Sequence, residues 1–537
     1  MSTHDGSADL ERAASELAVR VPTTLAPLAR LAYNYWWSWT PEGRALFRSI
    51  DPERFELSHQ NPVRLLREAP LPAVSAAARD GAYVARLEQL ERRFDAVLAN
   101  RQEDTRPIAF FCLEYGIHPS LPIYSGGLGI LAGDILKEAS DQALPMVGVG
   151  LLYWQGSYHQ RLDPSGWQHD YWTETDLSFL PAALVTTDEG APLTVSAPIR
   201  GREVVAQVWR VDVGCVPLFL LDTRRPENDV LDRWITGRLY VSDPKIRLAQ
   251  YALLGIGGIR VLRALGMDPS VVHLNEGHPA LVPLQLAADA VAEGRSFDEA
   301  LADARGRTVF TTHTPVPAGN ETYQPDTVID VLRALPPSLG IEESTFLDLG
   351  RIAPGGDEGF GMTTLALRVA RAANGVSRRH GEVAREMWRP LYGDGADVPI
   401  GHVTNGVHLP TWMAAPMRAL LDRHLGPDWT DHASDRSTWG PVEGIPDEEL
   451  WATRNELRGI LVRFARERSA IDRLSRGESS DSVEAAREAF DAEVLTVGFA
   501  RRVATYKRLY LLVADLERVS RLLQGPPDMQ VIIAGKA

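Results

Sequence analysis

Apolar positions along the chain follow three successive regimes. From Tyr83 to Asn100, Val84, Leu87, Leu90, Phe94, Val97 and Leu98 share one helical face, which predicts an amphipathic helix. Residues 1–105 read as an N-terminal helical domain. From residue 106, short apolar runs replace the helical period. Pro107 to Leu113, Pro145 to Tyr153, Ser270 to Leu274 and Thr308 to Thr312 read as buried strands, with helices such as Ile246 to Leu265 between them. That alternation predicts a doubly wound parallel sheet over 106–405. Within it, residues 153–220 are rich in Trp, Tyr, Val and turn residues and read as an antiparallel insertion. After Gly406 a helical pattern returns at Glu448 to Ala470. A polar stretch, Arg476 to Ser482, is expected to be an exposed loop. Then come a buried strand at Val497, a turn with Arg501 and Arg502, a helix opened by Tyr506-Lys507-Arg508, and a second strand at Val531 to Ile533. Two parallel strands are not a domain. Residues 406–537 therefore read as the helical start and first two strands of an incomplete second domain.

Composition narrows the function classes. The 537 residues suffice for several domains, and 45% hydrophobic with 24% charged residues is ordinary for a globular chain. No run of 18 apolar residues exists and the N-terminus has no apolar h-region, so neither a membrane span nor a signal peptide is expected. Cys112 and Cys215 sit in apolar runs and read as buried, reduced thiols, which implies a cytoplasmic setting. The net charge of −15 argues against nucleic acid and anionic membrane as main partners. An anionic ligand must then be held by a local basic cluster. Only Lys137, Lys245, Lys507 and Lys536 are lysines among 56 basic residues, so each survives a strong bias towards arginine.

Five stretches carry candidate chemistry. Tyr124 to Asp134, YSGGLGILAGD, sets Gly126, Gly127 and Gly129 before a helix, either as a packing turn or to let backbone N–H groups approach a phosphate. It matches neither the P-loop nor the dinucleotide fingerprint. Val272 to Ala280, VHLNEGHPA, gathers His273, Asn275, Glu276 and His278 at a strand end. The two histidines stand five apart across a turn without helical i,i+4 pairing, so no metal is expected. His313, in TTHTPVP, is either a satisfied loop histidine or a ligand group. Asn405-Gly406 is either a hinge turn or an amide that reads a sugar hydroxyl. Arg501, Arg502 and Lys507 can converge on one phosphate dianion. The alternative is a solvated basic helix end, although cations at a helix N-terminus are disfavoured unless an anion joins them. Separately, Tyr33 to Trp39, YNYWWSW, is either the packing of a small helical core or a carbohydrate-stacking platform.

Taken in order, YNYWWSW with HQNPVRLL, EYGIHPSLPIYSGGLGILAGD, HLNEGHPAL, TTHTPVPAGNE, ANGVSRRHGEVAREMW, VTNGVHLPTW and GFARRVATYKR resemble the α-glucan (glycogen/maltodextrin) phosphorylase family. The likeness is to its short bacterial type with an extra N-terminal helical domain, and it covers nearly all of the chain. The resemblance implies an α/β, GT-B-like glycosyltransferase architecture of two Rossmann-like domains. It implies transfer of a terminal glucosyl unit from an α-1,4-glucan to inorganic phosphate, with retention, giving α-glucose-1-phosphate. It also implies pyridoxal 5'-phosphate acting through its phosphate group. On this likeness Gly126 and Gly127 present N–H groups to phosphate, and His313 positions the glucosyl ring. Asn405 and Tyr506 bind sugar hydroxyls, and Arg502 and Lys507 hold phosphates. Arg501 stands where the family commonly has a lysine near the cofactor phosphate. No carboxylate pair of the kind used by retaining glycosidases stands out.

The resemblance places the Schiff-base lysine, the cofactor-phosphate loop and an acidic sugar loop beyond residue 537. It therefore implies a truncated chain, inactive alone. The same residues bear on two alternatives. A nucleotide-sugar glucan synthase commonly has a lysine two positions before the first glycine of its Gly-Gly-Leu loop, where Tyr124 stands here. A non-catalytic glucan-binding protein would use YNYWWSW as its platform. Chain-length preference, regulation and homo-oligomer formation stay open.

Overall fold

Prolines and polar caps divide the N-terminal region into short helices. Pro41–Ile50, Pro52–Leu57 and Pro62–Glu68 each place proline at the start, where its missing N–H costs nothing. Asp51, Asn61 and Asp80 cap the helices that begin at Pro52, Pro62 and Gly81 by accepting from backbone N–H groups of the first turn. The helix predicted from periodicity runs Gly81–Ala99 and buries Tyr83, Leu87, Leu90 and Phe94. The aromatic segment is a short 3-10 helix, Tyr35–Trp39, capped by Asn34. Tyr35 and Trp37 are fully buried, Trp36 stacks on Phe94 at 5.6 Å, and Trp37 meets the Phe47 ring edge-on at 5.2 Å. These rings form core, and the platform alternative is excluded.

The computed structural model describes residues 5–102, 105–163, 165–393, 395, 397–525 and 528–536, with the backbone alone at 506. Its contacts divide the chain into a first unit, Met1–Ser157 with Trp172–Thr411, and a second, Tyr158–Tyr171 with Trp412–Ala537.

In chain order the strands are β1 (Ile108–Phe111), β2 (Met146–Leu151), β3 (His159–Leu162), β4 (Gln168–Tyr171), β5 (Ala183–Leu184), β6 (Thr194–Ile199), β7 (Arg202–Val213) and β8 (Val216–Asp222). They continue as β9 (Val271–Asn275), β10 (Thr308–Thr312), β11 (Thr322–Tyr323), β12 (Phe360–Gly361), β13 (Ala372–Gly375), β14 (Ile400–His402), β15 (Leu495–Ala500) and β16 (Met529–Ala534). The main sheet of the first unit runs β14-β13-β10-β9-β1-β2-β8-β7-β5, with β6 also on β7. All pairings from β14 to β8 are parallel. The chain enters at β1, winds outward to β2 and β8, then returns to β9 on the other side. β1 and β9 thus flank a topological switch point, where doubly wound sheets bind ligands beyond the strands' carboxyl ends. The expected α/β class is met. β5 and β6 pair antiparallel with β7, and β8 pairs antiparallel with β7 on one side and parallel with β2 on the other.

The second unit holds the β3–β4 hairpin, the long helix Asp447–Ser475 and the parallel pair β15–β16. Three details depart from expectation. The strand taken as buried, β15, is largely exposed, because one neighbouring strand and the helix Leu516–Gln524 cover little of it. The expected loop 476–482 is shorter, since Ser479 caps a helix that begins at Ser480. The helix expected from Tyr506 is only a 3-10 turn, Thr505–Lys507. Arg508 takes a left-handed conformation, φ 56°, and ends it, and the α-helix starts after the Asp515 cap. Among the described residues no helix is long and apolar enough to cross a membrane.

Candidate active site

Each parallel strand of the first unit delivers polar groups just past its carboxyl end. After β1 come Cys112 and Glu114, followed by the glycine turn that opens the helix Gly127–Asp141. A Cβ on Gly133 would fall 2.3 Å from the Gly116 carbonyl oxygen, and one on Gly129 would fall 2.7 Å from Glu114 Oε2. These two glycines serve close packing. A Cβ on Gly126 or Gly127 would meet nothing within 4 Å, so packing does not account for them. The packing and ligand readings of this motif therefore divide between its members. Gly126 N–H already donates to Glu114 Oε2 at 3.2 Å, and Gly127, the next residue and the first of the helix, is exposed.

β9 ends at Asn275, and His313 follows β10 directly. The His313 ring Nε2 lies 2.7 Å from Asn275 Oδ1, and its backbone N–H donates to Glu276 Oε2 at 2.8 Å. Glu276 also accepts from the Thr314 hydroxyl and from Gly277 N–H. Its backbone is left-handed, φ 70°, a strained state for glutamate that points the carboxylate at the His313 loop. Burial lowers the His313 pKa to about 3, with His380, His278 and His273 adding to the shift. Burial likewise lowers His273 and His278 to about 4. At neutral pH the cluster is uncharged, and with Nε2–H donated to Asn275 the Nδ1 of His313 is an acceptor. Burial pushes the Glu276 carboxyl upward, opposed by its three donors. The His278 Nδ1 atom is buried and has no hydrogen-bond partner among the described residues.

Asn405 reaches the same sheet edge from β14. Its N–H donates to the Val376 carbonyl at 3.0 Å, and residues 401–407 are exposed. His380 joins the two loops, accepting from Val376 N–H at Nδ1 and lying 3.2 Å from the Thr314 carbonyl at Nε2. The segment after Asn405 is pinned to the glycine-turn helix. His408 N–H donates to Asp134, its Nε2 lies 3.0 Å from Asp141, and its ring meets Trp39 edge-on at 5.6 Å. Lys137 on the same helix donates to the Thr411 hydroxyl, and burial lowers its pKa to about 8. Gly126, His313 and Asn405 thus lie beyond the carboxyl ends of β1, β10 and β14 of one sheet, each held by the hydrogen bonds named above, and Gly127 follows Gly126.

Arg501, Arg502, Tyr506 and Lys507 belong to the second unit, at the carboxyl end of β15. Arg501 N–H donates to the Ala534 carbonyl, Ala504 N–H to that of Arg502, and Lys507 N–H to that of Ala504. Both arginine side chains are exposed and Lys507 is half-buried. Lys536 donates to the Tyr158 carbonyl at 2.6 Å.

No sequence pattern singles out His380, and Asn275 and Glu276 stand out in the sequence only as part of the polar cluster after β9. Glu114 carried one signal: an acidic residue directly after the apolar run Ile108 to Leu113. Tyr240 carried none.

A family model described as "Protein of unknown function (DUF3417)" matches residues 21–121. A maltodextrin phosphorylase of Thermococcus litoralis is 40% identical over 98% of this chain and 63% of its own length. A glycogen phosphorylase of Aquifex aeolicus is 37% identical over 95% of this chain and 74% of its own. One of Mycobacterium tuberculosis is 39% identical over 96% and 63%. The chain therefore spans about two thirds of the length of the curated relatives it matches.

Proposed function

Since this chain belongs to the glycogen and maltodextrin phosphorylase family, we propose that the protein transfers a terminal glucosyl unit of an α-1,4-glucan to inorganic phosphate. The product is α-glucose-1-phosphate with retained configuration, formed in the cytoplasm. The observation that carries this reading is the open space at Gly126 and Gly127, at a helix N-terminus on the switch-point edge that also bears neutral His313.

Each residue then has a definite task. Gly127 and the N–H groups after it receive phosphate, because the first turn of a helix leaves its N–H groups without intrahelical partners. His313 accepts a sugar hydroxyl at Nδ1 while Asn275 holds its ring. A neutral imidazole suits this task, since a cation there would repel the positive charge developing on the glucosyl carbon. Asn405, exposed on its loop, and Tyr506 read sugar hydroxyls. Arg501, Arg502 and Lys507 suit phosphate groups: three cations in seven residues at a strand's carboxyl end match the chemistry of a phosphate dianion. They would hold the phosphate of pyridoxal 5'-phosphate as well as that of the substrate. When bound, that cofactor supplies a phosphate group able to exchange a proton with substrate phosphate.

The deciding assay is phosphate-dependent release of glucose-1-phosphate from maltooligosaccharides by the full-length protein. Turnover that proceeds without phosphate, or that requires ADP- or UDP-glucose, would rule the reading out.

A further inference from the structure

We propose that Glu114 is the positioning residue of the glycine turn, and that with Tyr240 it sets the direction of the backbone N–H groups opening the helix Gly127–Asp141. Its ligand, phosphate, rests on the functional reading above; the positioning role rests on geometry alone.

Glu114 lies just past β1 and is 2% exposed. Both carboxylate oxygens are engaged. Oε2 accepts from Ser125 N–H at 2.7 Å and Gly126 N–H at 3.2 Å, and Oε1 accepts from the Tyr240 hydroxyl at 2.5 Å. Hydrogen bonds to a charged acceptor are the stronger kind, and burial removes competing water. Tyr240 reaches this position from a left-handed backbone, φ 57°, which a bulky side chain adopts only when its surroundings impose it. Gly129 completes the fit: any side chain there would strike Glu114 Oε2, so the carboxylate can lie against the first helical turn. The backbone follows, with Gly116 N–H donating to the Gly129 carbonyl at 2.7 Å.

The turn is thus clamped on its protein side by a buried carboxylate and open on its other side at Gly126 and Gly127. Clamping matters because a glycine pair is the most freely rotating dipeptide of the chain, and each N–H must keep one direction to bind an anion without an ordering penalty. The clamp also removes Gly126 N–H from the ligand and offers the N–H groups from Gly127 onward.

The test is amide hydrogen exchange at residue resolution on the full-length protein, with and without inorganic phosphate. In the wild type, Ser125 and Gly126 exchange slowly, and phosphate adds protection at Gly127 and Leu128. Glu114→Ala accelerates exchange at Ser125 and Gly126 by about tenfold or more and abolishes the phosphate-dependent protection. Glu114→Gln can still accept from both N–H groups while donating to the Tyr240 hydroxyl, so it restores most of both signals. Tyr240→Phe keeps the carboxylate but frees it to rotate and gives an intermediate acceleration of about threefold. Unchanged exchange in Glu114→Ala and Tyr240→Phe would overturn the proposal, as would a Glu114→Gln protein no better protected than Glu114→Ala. Should Glu114→Ala fail to fold, Tyr240→Phe and Glu114→Gln decide. Accelerated exchange in Glu114→Ala, with no phosphate protection in the wild type, supports the clamp and refutes the phosphate reading instead.

Discussion

The two units present their candidate groups in opposite ways. In the first, the groups beyond β1, β9 and β10 are largely desolvated and interlocked, with Asn405 beyond β14 the exposed exception: His313 rests on Asn275 and Glu276, and the glycine turn rests on Glu114. In the second, Arg501 and Arg502 are exposed, and backbone turns hold their positions. The contrast separates two uses of polar groups. Burial fixes direction and protonation state at a cost in stability. Exposed cations contribute charge at little structural cost, because solvent screens them.

Acid has the largest expected effect, and it acts on the buried unit. His118, His273, His278 and His313 are held neutral in the first unit by folded pKa values of about 3 to 4. All four lie below the unfolded value, so the unfolded chain binds more protons as pH falls from about 6.5 towards 4, and stability falls with it. Each histidine contributes a slope of up to about 1.4 kcal/mol per pH unit in that window. The raised Glu276 carboxyl opposes the trend in its lower part. Hydrogen exchange across pH 7 to 4 should show β9 and β10 losing protection steeply. A flat profile there would remove the claim of buried neutral histidines.

Next in size is Trp37→Ala, expected to destabilise by about 3–5 kcal/mol on denaturant unfolding, because it empties a fully buried aromatic site. Full stability with lost glucan binding would return the aromatic cluster to a platform role. Glu276→Ala should cost about 2–3 kcal/mol, since it strands the N–H groups of His313 and Gly277 and the Thr314 hydroxyl. Thr314→Val, which removes one of these donors together with its acceptor contact, should cost less. The smallest stability effect belongs to the second unit: Lys507→Ala and Arg502→Ala should each stay within about 0.5 kcal/mol. If phosphorolysis is the activity, each should nonetheless lower turnover about a hundredfold or more. Near-normal turnover in either variant would refute its phosphate role. A large loss of stability would erase the contrast between the units.

Much of the fold is legible in the sequence. The apolar runs around β1, β2, β9 and β10 announced a parallel sheet, and the helix Gly81–Ala99 follows its 3.6-residue period. The site was legible as motifs rather than as a mechanism. His313 was identifiable, but its neutrality was not, because neutrality comes from burial and from three other histidines brought near by the fold. The second unit is less legible. Periodicity suggested a buried strand at β15 and a helix at Tyr506, whereas sparse cover and the left-handed Arg508 decided otherwise.

The period of each element, the turn residues between them and the ordered motifs that place the chain in its family follow from the order of residues alone. These depend on neighbours within a few positions, so they can be read along a line. Only the tertiary structure decided which glycines pack and which face open space, that the aromatic run is core, and that Glu114 answers to Tyr240, 126 positions away. Those outcomes depend on desolvation and close approach between distant segments, and no local pattern encodes them.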